Sequence, residues 1–215
     1  MFDSIAPRYD LVNRIMTFGL DRRWRRAAVT SLGLAGGDRV LDLACGTGDL
    51  CRDLTARGYN AVGVDLSSGM LAHARTAVAL VQGDALQLPL AGVSFDGAVS
   101  GFALRNFVAL APVFAELARV IRPGGRIALL DVSSPANPVM RAGHSVYFGH
   151  VVPRIGAALS DGDAYRYLPK SVAYLPPADQ MLAQLHQAGF EAVGRRLLSG
   201  GITQLITATR AGRLP

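Results

Sequence analysis

The sequence predicts an α/β fold: a mostly parallel seven-stranded sheet with an antiparallel hairpin at one edge and helices on both faces. From Arg39 onward, short apolar runs ending in glycine turns alternate with stretches of helical periodicity. The first run leads into "VLDLACGTGDL", which is typical of a strand, a glycine turn and a helix around a nucleotide-like ligand. Near the carboxyl end, "SGG" alone separates two apolar runs, which indicates the hairpin.

The length of 215 residues and the half-hydrophobic composition indicate a single globular domain over residues 1–215. No apolar run is long enough to span a membrane. The N-terminus has no basic leader before an apolar stretch. The two cysteines, Cys45 and Cys51, are too close in sequence to brace a fold. Both features predict a cytoplasmic protein with reduced thiols.

The formal charge of +6 comes almost entirely from arginine and favours an anionic membrane surface. The basic clusters "RRWRR" and "GRR" are too short for a nucleic-acid platform, so no nucleic-acid partner is predicted. Four scattered histidines and two cysteines have no metal-ligand spacing, so no metal site is predicted.

Residues 1–34 have helical periodicity, with Asp21 as the predicted cap of a second helix, and are expected to form a lid. The core of the sheet is predicted over residues 39–132. Its strands are "RVLDLA", "NAVGVDL", "AVALVQGD", "FDGAVSGFA" and "RIALLDV". Its helices are predicted at about Asp49–Ala56, Ser68–Thr76 and Leu110–Ile121.

Residues 133–177 interrupt the alternation with a long, aromatic-rich and proline-punctuated segment, which is too long for an ordinary connection. We expect it to be partly helical and to cover the substrate. A helix at Ala178–Gln187 and the edge hairpin complete residues 178–210.

Glycine turns after a strand hold several cofactors, and two of these fit poorly. In the dinucleotide fingerprint a third glycine follows, where this chain has Cys51. Asp49 stands where the helix would meet a pyrophosphate, and a carboxylate there repels phosphate. A phosphate-binding Walker loop is excluded because no Gly-Lys-Ser/Thr follows.

Three acids fit a ligand with a cationic end, ribose hydroxyls and an adenine amine. Asp42 precedes the glycine turn, Asp65 ends the second strand and Asp84 ends the third, so parallel strands bring them to one crevice. S-adenosylmethionine has all three features and no phosphate.

Four stretches resemble the consecutive motifs of class I S-adenosylmethionine-dependent methyltransferases. They are "LDLACGTGD", "GVDLSSGML", "GDALQLP" and "LARVIRPGGRI". The resemblance implies a Rossmann-like sheet in which one set of residues binds the methionine end: Asp42, Gly46, Thr47 and Gly48. It places Asp65 on the ribose, Met70, Asp84 and Ala85 on the adenine, and Gly101 beside the methyl donor.

Further segments resemble the menaquinone/ubiquinone biosynthesis C-methyltransferase family over nearly the whole chain. They are "MFDSIAPRYDLVNRIMTFGLDRRWRR", "FALRNF", "YRYLPKSVAYLPPADQMLAQLHQAGF" and "SGGI". This resemblance implies methylation of a ring carbon of a polyprenylated quinol such as demethylmenaquinol. The apolar tail of such a substrate predicts peripheral contact with the inner face of the membrane, and a homodimer is also expected.

Ring methylation requires the ring hydroxyl to lose its proton, and three residues are the predicted catalytic set. Arg105 would stabilise the developing oxyanion or hold a water molecule that takes the proton. Asn106 would orient the ring oxygen, and Tyr9 would close the pocket over the methyl donor. Their alternative roles are structural: pairing with a helix terminus, helix capping and core packing. His144 lies outside the family motifs, so a surface or lipid-facing role is expected for it.

Two departures from the family pattern leave the acceptor open. Ala103 replaces the glycine usual before "LRN", and no histidine follows "SGGI". A benzoquinol precursor of ubiquinone, or another aromatic or quinone-like small molecule, is the alternative acceptor.

Overall fold

The structure, a computed structural model, describes residues 9–152, 154 and 174–212. The strands in these residues are β1 (Arg39–Leu43), β2 (Asn60–Asp65), β3 (Ala79–Gln82), β4 (Phe95–Gly101), β5 (Ile121–Val132), β6 (Phe190–Leu198) and β7 (Thr203–Arg210). The α-helices are α1 (Tyr9–Met16), α2 (Leu20–Ser31), α3 (Asp49–Ala56), α4 (Ser68–Ala72), α5 (Leu110–Val120), α6 (Pro138–Val146) and α7 (Ala178–Gln187).

The strands form one sheet in the order β3-β2-β1-β4-β5-β7-β6, with β7 antiparallel to both β5 and β6. Leu41 at the middle of β1 pairs with Val62 on one side and Ala98 on the other, both in parallel register. Strand order therefore reverses between β1 and β4, and in open α/β sheets ligands bind at the carboxyl ends of such strands. The predicted fold class and edge hairpin are confirmed.

Hydrophobic clusters cover both faces of the sheet. On one face, α5 and α7 pack Phe114, Leu117 and Leu185 against it. On the other, α2 and α3 contribute Trp24 and Leu54. Helix α2, which the sequence assigns to a lid, thus also covers the core and is held in place by it.

Two predicted boundaries are wrong for local reasons. The fifth strand begins at Ile121 instead of at the residues after Pro123-Gly124-Gly125, because Ile121 already pairs with Phe95 ahead of a bulge. Gly125 permits this bulge, since a Cβ there would lie 2.4 Å from Cγ2 of Ile121. Helix α4 ends at Ala72 instead of Thr76, and the Arg75 N–H then donates to the carbonyl of Thr47 at 3.0 Å.

Asp21 does not cap its helix. The residue before α2 is Gly19 with φ 74°, and Asp21 lies in the first turn, where it accepts a 2.9 Å hydrogen bond from the Thr17 hydroxyl. An acid in the first turn still interacts favourably with the helix dipole. No helix among the described residues is both long and apolar enough to cross a bilayer.

Candidate functional site

The glycine turn after β1 depends on left-handed backbone and on close packing. Gly46 and Gly48 have φ of 53° and 83°, and Gly48 is the residue before α3. A Cβ on Gly48 would lie 2.8 Å from Cγ2 of Thr76, so glycine is required there by space as well as by conformation. The turn thereby brings the start of α3 close to the carboxyl ends of β1 and β2.

Two cavities meet at this edge of the sheet. The strand-end cavity, of about 320 Å³, lies beyond β2 and β4. The cap cavity, of about 390 Å³, lies beneath the Met16–Leu20 turn and α6. Both are lined by Ala44, Gly46, Gly101 and Phe102, so one ligand can extend across this shared wall.

The predicted cofactor residues divide between the two cavities. Asp65, Met70, Asp84 and Ala85 line the strand-end cavity. Asp42 and Thr47 line the cap cavity. Gly48 lines neither cavity and contributes through the turn instead.

Asp42 is a buried carboxylate with incomplete hydrogen bonding. Its Oδ2 accepts a 3.2 Å hydrogen bond from the Cys51 thiol, whereas its Oδ1 is buried and has no partner among the described residues. Burial raises the pKa of Asp42 to about 7. A buried carboxylate in this state is stabilised by a cationic ligand, which fits the charged end of the predicted methyl donor.

Asp65 and Asp84 are both braced by backbone. Asp65 Oδ2 accepts from the N–H of Gly46 at 2.7 Å and its Oδ1 from the N–H of Ser67 at 2.8 Å. Asp84 Oδ1 accepts from the N–H of Leu86 at 2.9 Å. A carboxylate has about four acceptor positions, so both can also accept from a hydroxyl or an amine.

Arg105 and Asn106 lie on different cavity walls. Arg105 lines the cap cavity, where its Nη1 donates to Asp131 Oδ1 at 2.5 Å and its backbone N–H donates to Oδ2 at 3.1 Å. Its Nε is buried without a partner in the described residues. Asn106 lines the strand-end cavity. Tyr9, the third predicted catalytic residue, begins α1, and its side chain lies outside the described residues.

A charged network joins α2 to the start of α3. Arg25 forms ion pairs with Asp21 at 2.6 Å, Asp49 at 2.9 Å and Asp53 at 3.0 Å. Asp49 also pairs with Arg52. Two arginines, Arg25 and Arg52, pair with Asp49. The negative charge of Asp49 therefore repels a phosphate ligand less than the sequence alone indicates.

Cys45 and Cys51 are both buried free thiols. A hydrogen bond with Cys45, together with burial and the charge of Asp42, raises the pKa of the Cys51 thiol. A thiol that stays protonated is a poor nucleophile, so Cys51 serves as a hydrogen-bond donor to Asp42.

Comparison with known proteins assigns the family. Residues 1–210 match the ubiE/COQ5 methyltransferase family. The ubiquinone/menaquinone biosynthesis C-methyltransferase UbiE of Syntrophotalea carbinolica is 44% identical over 98% of this chain and 93% of its own length. The demethylmenaquinone methyltransferase of Beutenbergia cavernae is 41% identical over 98% of this chain and 89% of its own. The chain belongs to the ubiE/COQ5 methyltransferase family.

Solved structures support the fold of this family member. An S-adenosylmethionine-dependent methyltransferase from Mesorhizobium loti has a TM-score of 0.61 at 23% identity, covering 86% of this chain and 96% of its own. The family and the fold identify this protein as a methyltransferase.

The structure of this ubiE/COQ5 family member also places in the cap cavity residues that the sequence did not predict for the site. His144, for which a surface or lipid-facing role is expected, is half-buried on its wall, whereas His150 is exposed. Thr203 is fully buried and lines the same cavity, and its hydroxyl has no partner in the described residues. Met140, Gly143 and His144 are spaced so that they share one face of a helix, and this spacing is the sequence pattern from which the wall could have been predicted.

Proposed function

We propose that this methyltransferase transfers a methyl group from S-adenosyl-L-methionine to a ring carbon of a polyprenylated quinol such as demethylmenaquinol. The observation that carries the proposal is the wall that the two cavities share, with Asp65 and Asp84 on the strand-end cavity and a mostly apolar surface in the cap cavity. A nucleoside-containing donor fits the first, and a ring with a lipid tail fits the second.

The strand-end cavity suits the adenosine part of the donor. Asp65 would accept from the ribose hydroxyls, while Met70 and Ala85 would contact the adenine and Asp84 its amine. Thr47 and the unpaired Oδ1 of Asp42 would hold the charged methionine end across the shared wall. When bound, S-adenosyl-L-methionine supplies an electrophilic methyl group.

The cap cavity suits the acceptor ring. Arg105 is held in place by its ion pair with Asp131, and its Nε–H, which has no partner in the described residues, can donate to an oxygen that becomes negative during the reaction. The Thr203 hydroxyl offers a second polar contact on the same wall. Trp24, Phe102 and Tyr147 enclose the space and exclude water, which strengthens these interactions.

The rim of the cap cavity suits a lipid tail and a membrane surface. Large apolar side chains are exposed around it: Phe18 is 79%, Val139 81% and Val146 60% exposed. Clustered exposed apolar side chains are typical of a membrane or partner contact. Entry of the substrate from the bilayer would leave its tail among these side chains.

The test uses reduced demethylmenaquinone in anionic-lipid vesicles with methyl-labelled donor. We expect label on the quinone ring, and turnover that falls when the prenyl tail is removed. Binding of the donor without ring methylation would overturn the proposed reaction. A panel with benzoquinols and soluble naphthols tests the alternative acceptors. A benzoquinol is supported by the name of the Syntrophotalea carbinolica relative, which includes ubiquinone as well as menaquinone. Equal rates with and without a tail would favour a soluble aromatic acceptor.

A further inference from the structure

Methylation of a phenolic ring requires a proton acceptor that Arg105 cannot provide. A guanidinium stays protonated at all physiological pH values, and that of Arg105 forms an ion pair with Asp131. The carboxylate of Asp131 is itself engaged by Arg105 and by the N–H of Val132 at 2.7 Å. The proton of the ring hydroxyl therefore needs an acceptor other than Arg105 and Asp131.

The acids on that wall are committed elsewhere. Asp21 and Asp49 both form ion pairs with Arg25. Asp42 lies on β1 beside the glycine turn, where it accepts from the Cys51 thiol and faces the site proposed for the cationic donor. A carboxylate that holds a cation is a weak base, so none of the three is suited to take a phenolic proton.

Within the part of the chain that the structure describes, His144 is the remaining group on the cap-cavity wall that can act as a base. Of the four histidines, all within the described residues, only His144 lines the cap cavity. We infer that His144 accepts the ring hydroxyl proton of the acceptor. This inference rests on the proposed function and names its general base.

The geometry of α6 supports this role. Met140, Gly143, His144 and Tyr147 all line the cavity, at positions i, i+3, i+4 and i+7 along one helical face. Gly143 has no side chain, and a Cβ there would meet nothing within 4 Å. The imidazole is thus carried by a face that points at the cavity, with open space beside it for a ring.

The helix is also fixed in position. Asn137 caps it by accepting from the N–H groups of Val139 at 2.9 Å and Met140 at 3.2 Å. At the other end, the Tyr147 hydroxyl donates to the carbonyl of Met16 at 2.8 Å. A general base must be held within hydrogen-bonding reach of its proton, and these contacts hold its helix over the cavity.

The imidazole is in the correct protonation state at neutral pH. Burial lowers the pKa of His144 below its ordinary value of 6.5. The charged groups facing the cavity are the cations Arg25 and Arg105 and the acids Asp21, Asp42 and Asp49, and Tyr147 is the titratable group beside it on its own element. Burial also raises the pKa of Tyr147, so this phenol stays protonated.

The step assigned to His144 is the transfer of one proton from the ring hydroxyl. The O–H bond of the ring hydroxyl breaks, an N–H bond forms on the imidazole, and the electron pair stays on the oxygen beside Arg105. The ring carbon becomes nucleophilic as this charge delocalises. Methylation leaves a neutral dienone, and loss of the proton on its methylated carbon to water restores the aromatic ring with the negative charge on the oxygen. The imidazolium then returns its proton to this oxygen.

The test compares His144→Gln with His150→Gln, a matched control on the exposed part of the following helical turn. At saturating donor, we expect His144→Gln to lower kcat about 100-fold or more, within the range for loss of a general base. The KM of the acceptor and the Kd of the donor should change less than about threefold. His150→Gln should match the wild type.

The pH profile separates this role from a structural one. Because the base must be neutral, the wild-type kcat should fall as pH drops through the lowered pKa of His144, and His144→Gln should lose this inflection. Saturating donor removes the separate titration of Asp42, which would alter donor binding. A persistent inflection in His144→Gln, or a kcat within about threefold of wild type, would overturn the inference.

A binding measurement provides a readout independent of turnover. In the ternary complex with S-adenosylhomocysteine, the absorbance of bound 1-naphthol should show ionisation at lower pH in wild type than in His144→Gln. Equal ionisation in the two proteins would overturn the inference. If wild type methylates only another aromatic acceptor, the proposed quinol fails, and the same variants test His144 with that acceptor. If it methylates none, the naphthol measurement still decides.

Discussion

The strand-end cavity and the cap cavity are built in different ways. The first is lined by residues 43–107, and the bond from the Gly46 N–H to Asp65 joins positions only 19 residues apart. The second is closed by contacts between distant segments: Trp24 Nε1 donates to the Ser199 hydroxyl at 2.9 Å, and Tyr147 donates to Met16. The strand-end cavity therefore depends on one part of the chain, whereas the cap cavity depends on segments from both ends.

The largest expected effect is at Arg105, next to the wall that the two cavities share. Arg105→Ala leaves the Asp131 carboxylate buried without its ion-pair partner, and loss of one partner of a buried pair costs about 3–5 kcal/mol. Chemical denaturation measures this loss of unfolding free energy. Arg122→Ala, which breaks the exposed pair with Asp96, is the control and should cost about 1 kcal/mol or less. Similar losses in the two variants would contradict the prediction.

Asp42→Asn should separate donor binding from stability. Loss of the charge that faces a bound cation should weaken donor binding about 100-fold, measured by calorimetry. In the wild type, donor affinity should fall as pH drops through the Asp42 pKa of about 7, because the carboxylate then takes up a proton.

The same substitution should stabilise the donor-free protein. A raised pKa means that the folded state binds more protons than the unfolded state between pH 3.8 and about 7, so wild-type stability falls as pH rises through this range. Asp42→Asn removes that penalty, and its donor-free Tm at pH 8 should be higher than that of wild type. A lower Tm together with unchanged donor affinity would refute both expectations.

Tyr147→Phe should affect only the cap cavity. It removes the hydrogen bond to Met16, which is worth about 1 kcal/mol. We expect a severalfold higher KM for the acceptor and an unchanged donor Kd. Tyr174→Phe, at an exposed position, is the control. An equal change in donor and acceptor binding would show that the two cavities are not separable.

Thr203→Val should have the smallest effect on stability. The buried hydroxyl has no partner in the described residues, so a methyl group of similar shape should leave the unfolding free energy within about 1 kcal/mol. If the hydroxyl contacts the acceptor, its KM should rise while the donor Kd stays constant. A large loss of stability would instead indicate a structural role.

Local signals predicted the bounds of several helices well. Helices Asp49–Ala56 and Ala178–Gln187 have the predicted bounds, since a glycine turn begins one and Gly189 follows the other. Asp21 failed as a cap because the residue before α2 is Gly19, in the left-handed conformation, two residues earlier. Only the fold brings His144 to the cap cavity, about a hundred residues from the glycine turn, so local patterns could not assign its role.

Asp65 has two structural roles at once, and this limits how its position can be redesigned. One side chain both braces the glycine turn, through the N–H of Gly46, and lines the space where a sugar would bind. Changing this residue to accept an altered donor would also loosen the turn. Engineering of donor specificity would therefore need a compensating substitution in the turn, and variation at this position alone is expected to be poorly tolerated.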